Sequence, residues 1–404
     1  MNSSNFRWLW FARASSMATS AISMGAFSLI AVRELHATAL MLSLMTAISG
    51  IFGAILSFLL SVNIDRHHKR PAMLWADIVR SLFYLSIPLA AMFGILTFIQ
   101  LLIVSTVSTF FGIVFGGAST AYIKDLLPPH ERTRAIAKLS STAWLFNTVG
   151  PAVGGIINQL AGATVTMIVT SVGLIMSALG VTRISHVESP PLPSQKRHFL
   201  QESVAGFTQI YRTPMLRPLF INSALFGGII AWISPLESML LLENLQLPAW
   251  QYGLTLALPC AGGAIGAWIA PKLGKRFGEL YTMNIYSVLR GLPVVAIPFI
   301  PAGTWSFLAI AAANFLLLLA AGGFGVLYMP IRMQAMKDAY ITRIVTAFTL
   351  SSRIIAPVMA LPGGIIATYS GVRTGLFIGA LLLIIASVIL PYRSSHKTSK
   401  ARNT

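Results

Sequence analysis

The chain has 404 residues, 55% hydrophobic and only 10% charged, against roughly 25% charged in ordinary soluble domains. That composition excludes a surface built to face water over most of its length. The 29 Lys and Arg outnumber the 11 Asp and Glu, for a formal net charge of +18. These cations lie singly or in small clusters between long apolar runs, so the charge does not point to nucleic acid. One cysteine, Cys260, excludes a disulfide framework and a thiolate metal site.

The first apolar run, about Leu9 to Val32, follows Asn5-Phe6-Arg7-Trp8 with no cleavable signal before it and is expected to act as its own membrane signal. The second run covers about Leu40–Val62 and the third about Ala72–Phe93. Ser81–Ile123 carries no Asp, Glu, Lys or Arg and is too long for one helix; Gly94-Ile95-Leu96-Thr97 divides it into spans three and four. Leu139–Thr182 holds spans five and six, with a turn at Asn158–Gly162. A polar linker follows, with Pro190-Pro191-Leu192-Pro193, Lys196-Arg197 and an amphipathic stretch around Phe199–Tyr211. Spans seven to twelve then cover about Leu219–Leu242, Tyr252–Pro271, Leu280–Phe299, Trp305–Met329, Ile344–Thr368 and Thr374–Tyr392. Runs of about 20 continuously apolar residues predict helices rather than the alternating strands of a barrel. The predicted fold class is an all-α integral membrane protein of twelve transmembrane helices.

Charge placement orients these spans. The loops that share a side with the two ends hold Arg7, Arg13, Arg66, Lys69, Arg70, Lys124, Arg132, Lys272, Lys275, Lys337 and Arg343, while the opposite side holds only Arg33 and Arg373. The positive-inside rule therefore predicts a cytoplasmic linker and cytoplasmic termini. The chain also repeats itself. Thr133-Arg134 and Gly154-Gly155-Ile156-Ile157 match Thr342-Arg343 and Gly363-Gly364-Ile365-Ile366 at an offset of 209 (343 − 134), and Arg80, Leu82, Ile87 and Pro88 match Arg290, Leu292, Ile297 and Pro298 at 210 (290 − 80). Two six-helix halves in parallel orientation are expected, residues 1–184 and 218–392, with the linker at 185–217 and a basic tail at 393–404.

The turn between spans two and three reads Ser61-x-x-x-Asp65-Arg66-x-x-Lys69-Arg70. It resembles the signature of the major facilitator superfamily, G-x-x-x-D-R-x-x-R-[RK], with Ser61 in place of the glycine. The resemblance covers essentially the whole chain and implies two six-helix halves moving around a central site. By the same resemblance Asp65 is the acid of a cytoplasmic latch and Arg66 and Arg70 are its basic partners; Asp77 and Arg80, about one helical turn apart near the cytoplasmic end of span three, read as a structural pair with that turn rather than a substrate site. A plain positive-inside turn explains the same residues without a latch. Ala76-Asp77-x-x-Arg80, Asp125-Leu126-x-Pro128-x-x-Glu131-Arg132 and Tyr252-Gly253-Leu254 with Gly262-Gly263-x-x-Gly266 look like the branch of macrolide-efflux proteins and enterobactin-type siderophore exporters. Gly150-Pro151-Ala152-Val153-Gly154-Gly155 is similar to the fifth-helix motif of drug–proton antiporters, with Phe146 where that motif has an upstream glycine. Either Pro151 and the glycines allow a bend, or the small residues simply let two helices pack closely.

Ionisable residues inside a membrane are costly and are functional candidates by default. Glu237, in span seven near Asn222, is the candidate proton carrier, unless it reaches the outer headgroups. Arg353 in span eleven has no local counter-ion and either pairs with Asp65 or meets an anionic substrate. Ser16, Thr19, Ser20 and Ser23 recur at helical spacing in span one, and Ser105, Ser108, Thr109, Gly112, Gly116 and Ser119 do so in span four. Together with Asn314 in span ten they are cavity candidates, and the alternative is plain helix packing. No P-loop, metal cluster or catalytic triad spacing is present, so no enzyme activity, cofactor or ATP drive is expected.

The resemblance implies a secondary transporter, monomeric, in a bacterial inner membrane. It would export a small amphiphilic molecule such as a drug, a macrolide-like compound or a siderophore by proton antiport. An importer or lipid-like flippase of the same fold, and a membrane sensor or scaffold without transport, remain open alternatives.

Overall fold

The structure, a computed structural model, describes residues 4–64, 68–186, 188, 199–336 and 340–390, and these contain helices and no strands. The helices before the linker are α1 (Ser4–Glu34), α2 (Ala39–Ile64), α3 (Lys69–Met92), α4 (Phe98–Leu126), α5 (Pro129–Ala161) and α6 (Ala163–Thr182). A linker helix, Phe199–Arg212, occupies the stretch expected to be amphipathic. After it come α7 (Leu216–Asn244), α8 (Ala249–Phe277), α9 (Glu279–Phe299), α10 (Ser306–Gln334), α11 (Ile341–Ser370) and α12 (Val372–Val388). Among the described residues nine helices are long and apolar enough to cross a membrane, where the sequence predicts twelve. Of the remaining three, α2 runs Ala39–Ile64 and enters that count only through Ala39–Gly53, α12 has 17 residues, and the start of α5 carries His130, Glu131, Arg132, Arg134 and Lys138.

Turn chemistry places the breaks where the glycines stand. Gly94 adopts φ +65 at the end of α3, and the Thr97 side chain accepts the Gln100 backbone N–H to open α4. Gly162 and Gly371, between α5 and α6 and between α11 and α12, both sit at φ +88, where a β-carbon is strained. Their separation is 209 (371 − 162). Other backbone features recur at 210: π turns at Ile30–Glu34 and Leu240–Asn244, and positive φ of 49 at His36 and Gln246 (246 − 36). α9 departs from one regular helix, because Gly291 and Pro293 end the α-helical hydrogen bonding and Leu292–Phe299 continues as a 3₁₀ helix.

Large apolar side chains face outward along the helices, including Leu82, Ile99, Val172, Trp268 and Ile385, as expected where the surrounding solvent is lipid. The interior divides unevenly. At the end of the bundle away from the linker, one buried cluster runs through both sides of the chain and joins Leu29, Ile30 and Leu42 to Trp232, Leu236 and Tyr252. At the linker end the core splits, with Phe6, Met73, Tyr122 and Ile184 in one cluster and Ile210, Leu219, Phe324 and Ile344 in another. Close backbone approaches bind the far end. A β-carbon on Gly155 in α5 would lie 2.7 Å from the Ala249 carbonyl of α8, and one on Gly364 in α11 would lie 2.6 Å from Ser43 in α2. The Gln159 side chain accepts the Ala249 N–H at 3.0 Å, and Arg33 donates to the Leu247 carbonyl. Among the described residues the core is continuous at the far end and falls into two clusters at the linker end.

Candidate functional site

α3 brings Asp77 and Arg80 one turn apart onto a buried face that α1 and α6 pack against. Arg80 Nη1 donates to Asp77 Oδ1 at 3.3 Å and to Ser16 Oγ at 3.0 Å, and Nη2 donates to Ser20 Oγ at 2.8 Å. Ser16 and Ser177 hydroxyls donate to the two Asp77 oxygens. A charged pair this deep holds only because most of its polar atoms have partners. The sequence reading groups both residues, as a structural pair, with the turn at Asp65, which lies outside the described residues; in the structure they pair with each other two to three turns along α3 from Lys69.

Arg80 also lines a cavity of about 480 Å³ between α1, α2, α3 and α4. Its walls take up both small-residue stripes: Ser20 and Ser23 from α1, and Ser105, Ser108, Thr109 and Gly112 from α4. Ser23 Oγ lies 3.4 Å from the Tyr84 hydroxyl. Not every stripe residue faces this space. Ser16 is spent on the Asp77–Arg80 pair, and Thr19 packs its methyl against Gly173 of α6 and donates to the Ser15 carbonyl at 2.9 Å. Ser28, Thr46, Ser49 and Tyr84 line the cavity without having been singled out in the sequence. Ser28 extends the α1 stripe past its break at Gly25, a signal hidden by the change of helix phase there.

Across the far end stands Glu237 of α7. It accepts a hydrogen bond from the Asn314 amide of α10, so two residues 77 positions apart form one unit. Beside it Tyr252 of α8 is buried, with its hydroxyl 3.0 Å from Ser238 Oγ. The Tyr252 ring fills the space a side chain on Gly25 would need, 3.0 Å from that β-carbon position. Ser238, next to Glu237 in the chain, thus ties α7 to a tyrosine that packs on the α1 break.

Asn222 is not at the cavity. It is fully buried, donates to the Ala386 carbonyl at 2.8 Å and accepts from Arg290 Nη2 at 2.5 Å. Arg290 is the repeat partner of Arg80, yet position 287 is serine where position 77 is aspartate. Two aromatic rings take over, with Phe226 and Phe324 centred 3.9 and 4.1 Å from the guanidinium carbon. Phe324 stacks on Tyr328 at 5.2 Å.

At the linker end Asp65 and Arg66 lie outside the described residues, as does the Arg353 side chain, although residue 353 is in helix α11. Arg70 serves the end of α6, donating to the Val181 and Thr182 carbonyls at 3.3 and 2.8 Å. Glu188 accepts the Lys69 and Arg70 backbone N–H groups at 2.6 and 2.5 Å and so caps α3, while Lys69 pairs with Asp125 at 3.2 Å. The fifth-helix motif is a crossing. Gly150 and Gly154 press on Ala21 and Ile22 of α1, and Pro151 and Gly155 press on Gly253 of α8.

Helices apolar enough to cross a membrane many times, with a polar cavity between them, are those of a multi-pass membrane protein. The sequence model of the Major Facilitator Superfamily matches residues 9–357, and the chain belongs to that family. Among curated relatives it is 24% identical over 246 residues to "Uncharacterized MFS-type transporter YfmI" of Bacillus subtilis (strain 168), covering 59% of each chain. It is 22% identical over 273 residues to "Uncharacterized MFS-type transporter y4rN" of Sinorhizobium fredii, covering 66% of this chain and 65% of that one. The matches thus span less than two thirds of those relatives' length. Among solved structures it shares its fold with a bacterial homologue of the human lysosomal transporter Spinster, inward-facing and unoccupied (TM-score 0.72, 14% identity, 96% and 97% of the two chains). A transporter of the POT family in complex with 5-aminolevulinic acid gives a TM-score of 0.76 at 10% identity over 95% and 94%. A bacterial homologue of ferroportin, also inward-facing, gives 0.70 at 14% over 95% and 98%.

Proposed function

We propose that the chain is a twelve-span secondary transporter that exports a small amphiphilic molecule, drug-, macrolide- or siderophore-like, from a bacterial cytoplasm in exchange for protons. Residues 1–184 and 218–392 are its two halves, and the linker and both termini face the cytoplasm. The recurrence of π turns, positive-φ residues and buried arginines at an offset of 210 supports the two-half plan. With the linker end cytoplasmic, closure at the far end corresponds to an inward-facing state, the state named for the Spinster homologue.

The observation that carries the coupling proposal is Glu237, held by Asn314 and adjacent to Ser238, whose hydroxyl meets Tyr252 at the α1 break. A carboxylate among the buried side chains of α7, α8 and α10 is costly while charged. Taking up a proton removes that cost, and losing it restores it, so the charge on Glu237 biases which arrangement of the helices is favoured. Tyr252 stands at the α1 break on Gly25 and at the α5–α8 crossing, where that bias acts on the closed end. The test is efflux of a fluorescent amphiphile such as ethidium from energised cells. Glu237→Gln, expressed at wild-type level, should abolish the proton-driven component, and unchanged efflux would overturn the assignment.

A further inference from the structure

We propose that the 480 Å³ cavity takes a neutral polyhydroxylated group, such as a glycosyl ring, as the polar part of the transported amphiphile. This rests on the reading that the cavity is the transport site. Its volume lies within the ~300–1,000 Å³ typical of small-molecule sites. Among the described residues Arg80 is the one charged side chain on its lining, and Asp77 compensates that charge from behind.

The hydroxyls on the wall have a definite polarity. Ser20, Ser23, Thr46 and Thr109 each donate to a backbone carbonyl of their own helix, at 2.7 to 3.1 Å. Their protons are spent, and their lone pairs are what remains for a ligand. Two further groups wait for a partner. Arg80 Nε and Ser108 Oγ are buried and have no hydrogen bond among the described residues, and their side chains are 4% and 7% exposed. Such groups are costly to leave unmade.

A ligand for this space must donate to hydroxyl oxygens and accept from Arg80 Nε and Ser108. A carboxylate has no proton for the lone pairs, and an ammonium has no acceptor for Arg80 and meets its charge directly. An array of alcohol groups does both at once. Phe27 and Tyr84, 5.6 Å apart between ring centroids, offer aromatic faces to the C–H side of a sugar ring, while Met24, Met45 and Ile113 suit an apolar remainder.

The test uses protein in nanodiscs and follows its thermal unfolding midpoint with phenyl glucoside, with phenoxytetrahydropyran (the same skeleton without hydroxyls), with benzoate and with benzylammonium. Phenyl glucoside should raise the midpoint by about 2 °C or more and the other three by less than half as much. Ser108→Ala should at least halve the rise. Gly112→Leu, which fills the space beside the Arg80 guanidinium 3.9 Å from the Gly112 β-carbon position, should remove it. The proposal is overturned by no rise with the glucoside, by an equal rise with either ion or with the stripped skeleton, or by a rise that survives Gly112→Leu. Efflux that depends on Glu237 without a glucoside response would remove the substrate class and leave the coupling proposal standing.

Discussion

Gly155→Ala should loosen the closed end of the transporter. The added β-carbon would lie 2.7 Å from the Ala249 carbonyl oxygen and 2.9 Å from Gly253 Cα, where ordinary contacts begin near 3.4 Å. Both obstacles are backbone, so no rotamer change relieves them, and α5 and α8 must separate by about 0.7 Å (3.4 − 2.7). Overpacking of this kind costs about 1–3 kcal/mol. If the alternative state parts α5 from α8 here, the whole cost falls on the far-end-closed state, and the equilibrium shifts by roughly 5–150-fold. Spin labels at positions 160 and 250, introduced in a Cys260→Ser background, would report the distance across the crossing by pulsed electron resonance. The distribution should gain a longer component in Gly155→Ala and stay unchanged in Gly325→Ala, where nothing lies within 4 Å of the added atom. An unaltered distribution in folded Gly155→Ala would refute the idea that this contact belongs to one state.

Arg80→Gln leaves Asp77 buried without its cation and should destabilise the protein by about 3–5 kcal/mol, whereas Asp77→Asn combined with Arg80→Gln should recover most of that loss in a thermal unfolding assay. Asn222→Ala removes the Arg290 acceptor and the bond to the Ala386 carbonyl. Leaving a buried guanidinium short of a partner should cost about 1–3 kcal/mol by the same measurement. Gly162→Ala and Gly371→Ala, each at φ +88, should lower stability by about 1 kcal/mol or more apiece, and by similar amounts if the two turns are equivalent.

The membrane class, the helix positions and the repeat were legible in the sequence because each depends on local composition. Continuous apolar runs fix helices in lipid, glycines mark their ends, and the matches at 209 and 210 survive as paired backbone features. The stripes on α1 and α4 were legible as helical faces. Which members face a cavity and which face another helix was not, since Thr19 and Ser23 differ only in what α3 and α6 set against them. Asp77 and Arg80 sit near the basic turn in sequence, but at 1.5 Å of rise per residue α3 carries them well into the bundle, where Ser16, Ser20 and Ser177 surround them. Asn222 reads as a cavity residue until Arg290, 68 positions later, claims its oxygen.

By itself, then, the sequence determined that this chain is a multi-pass helical membrane protein and that local features recur in it at offsets of 209 and 210, because hydrophobicity and backbone preference act over a few residues. Only the tertiary structure decided that Glu237 meets Asn314, that Arg80 faces open space while its repeat partner is enclosed by rings, and that the core is continuous at one end of the bundle. Those outcomes depend on which helix faces which, and that is set by close packing between residues tens to hundreds of positions apart.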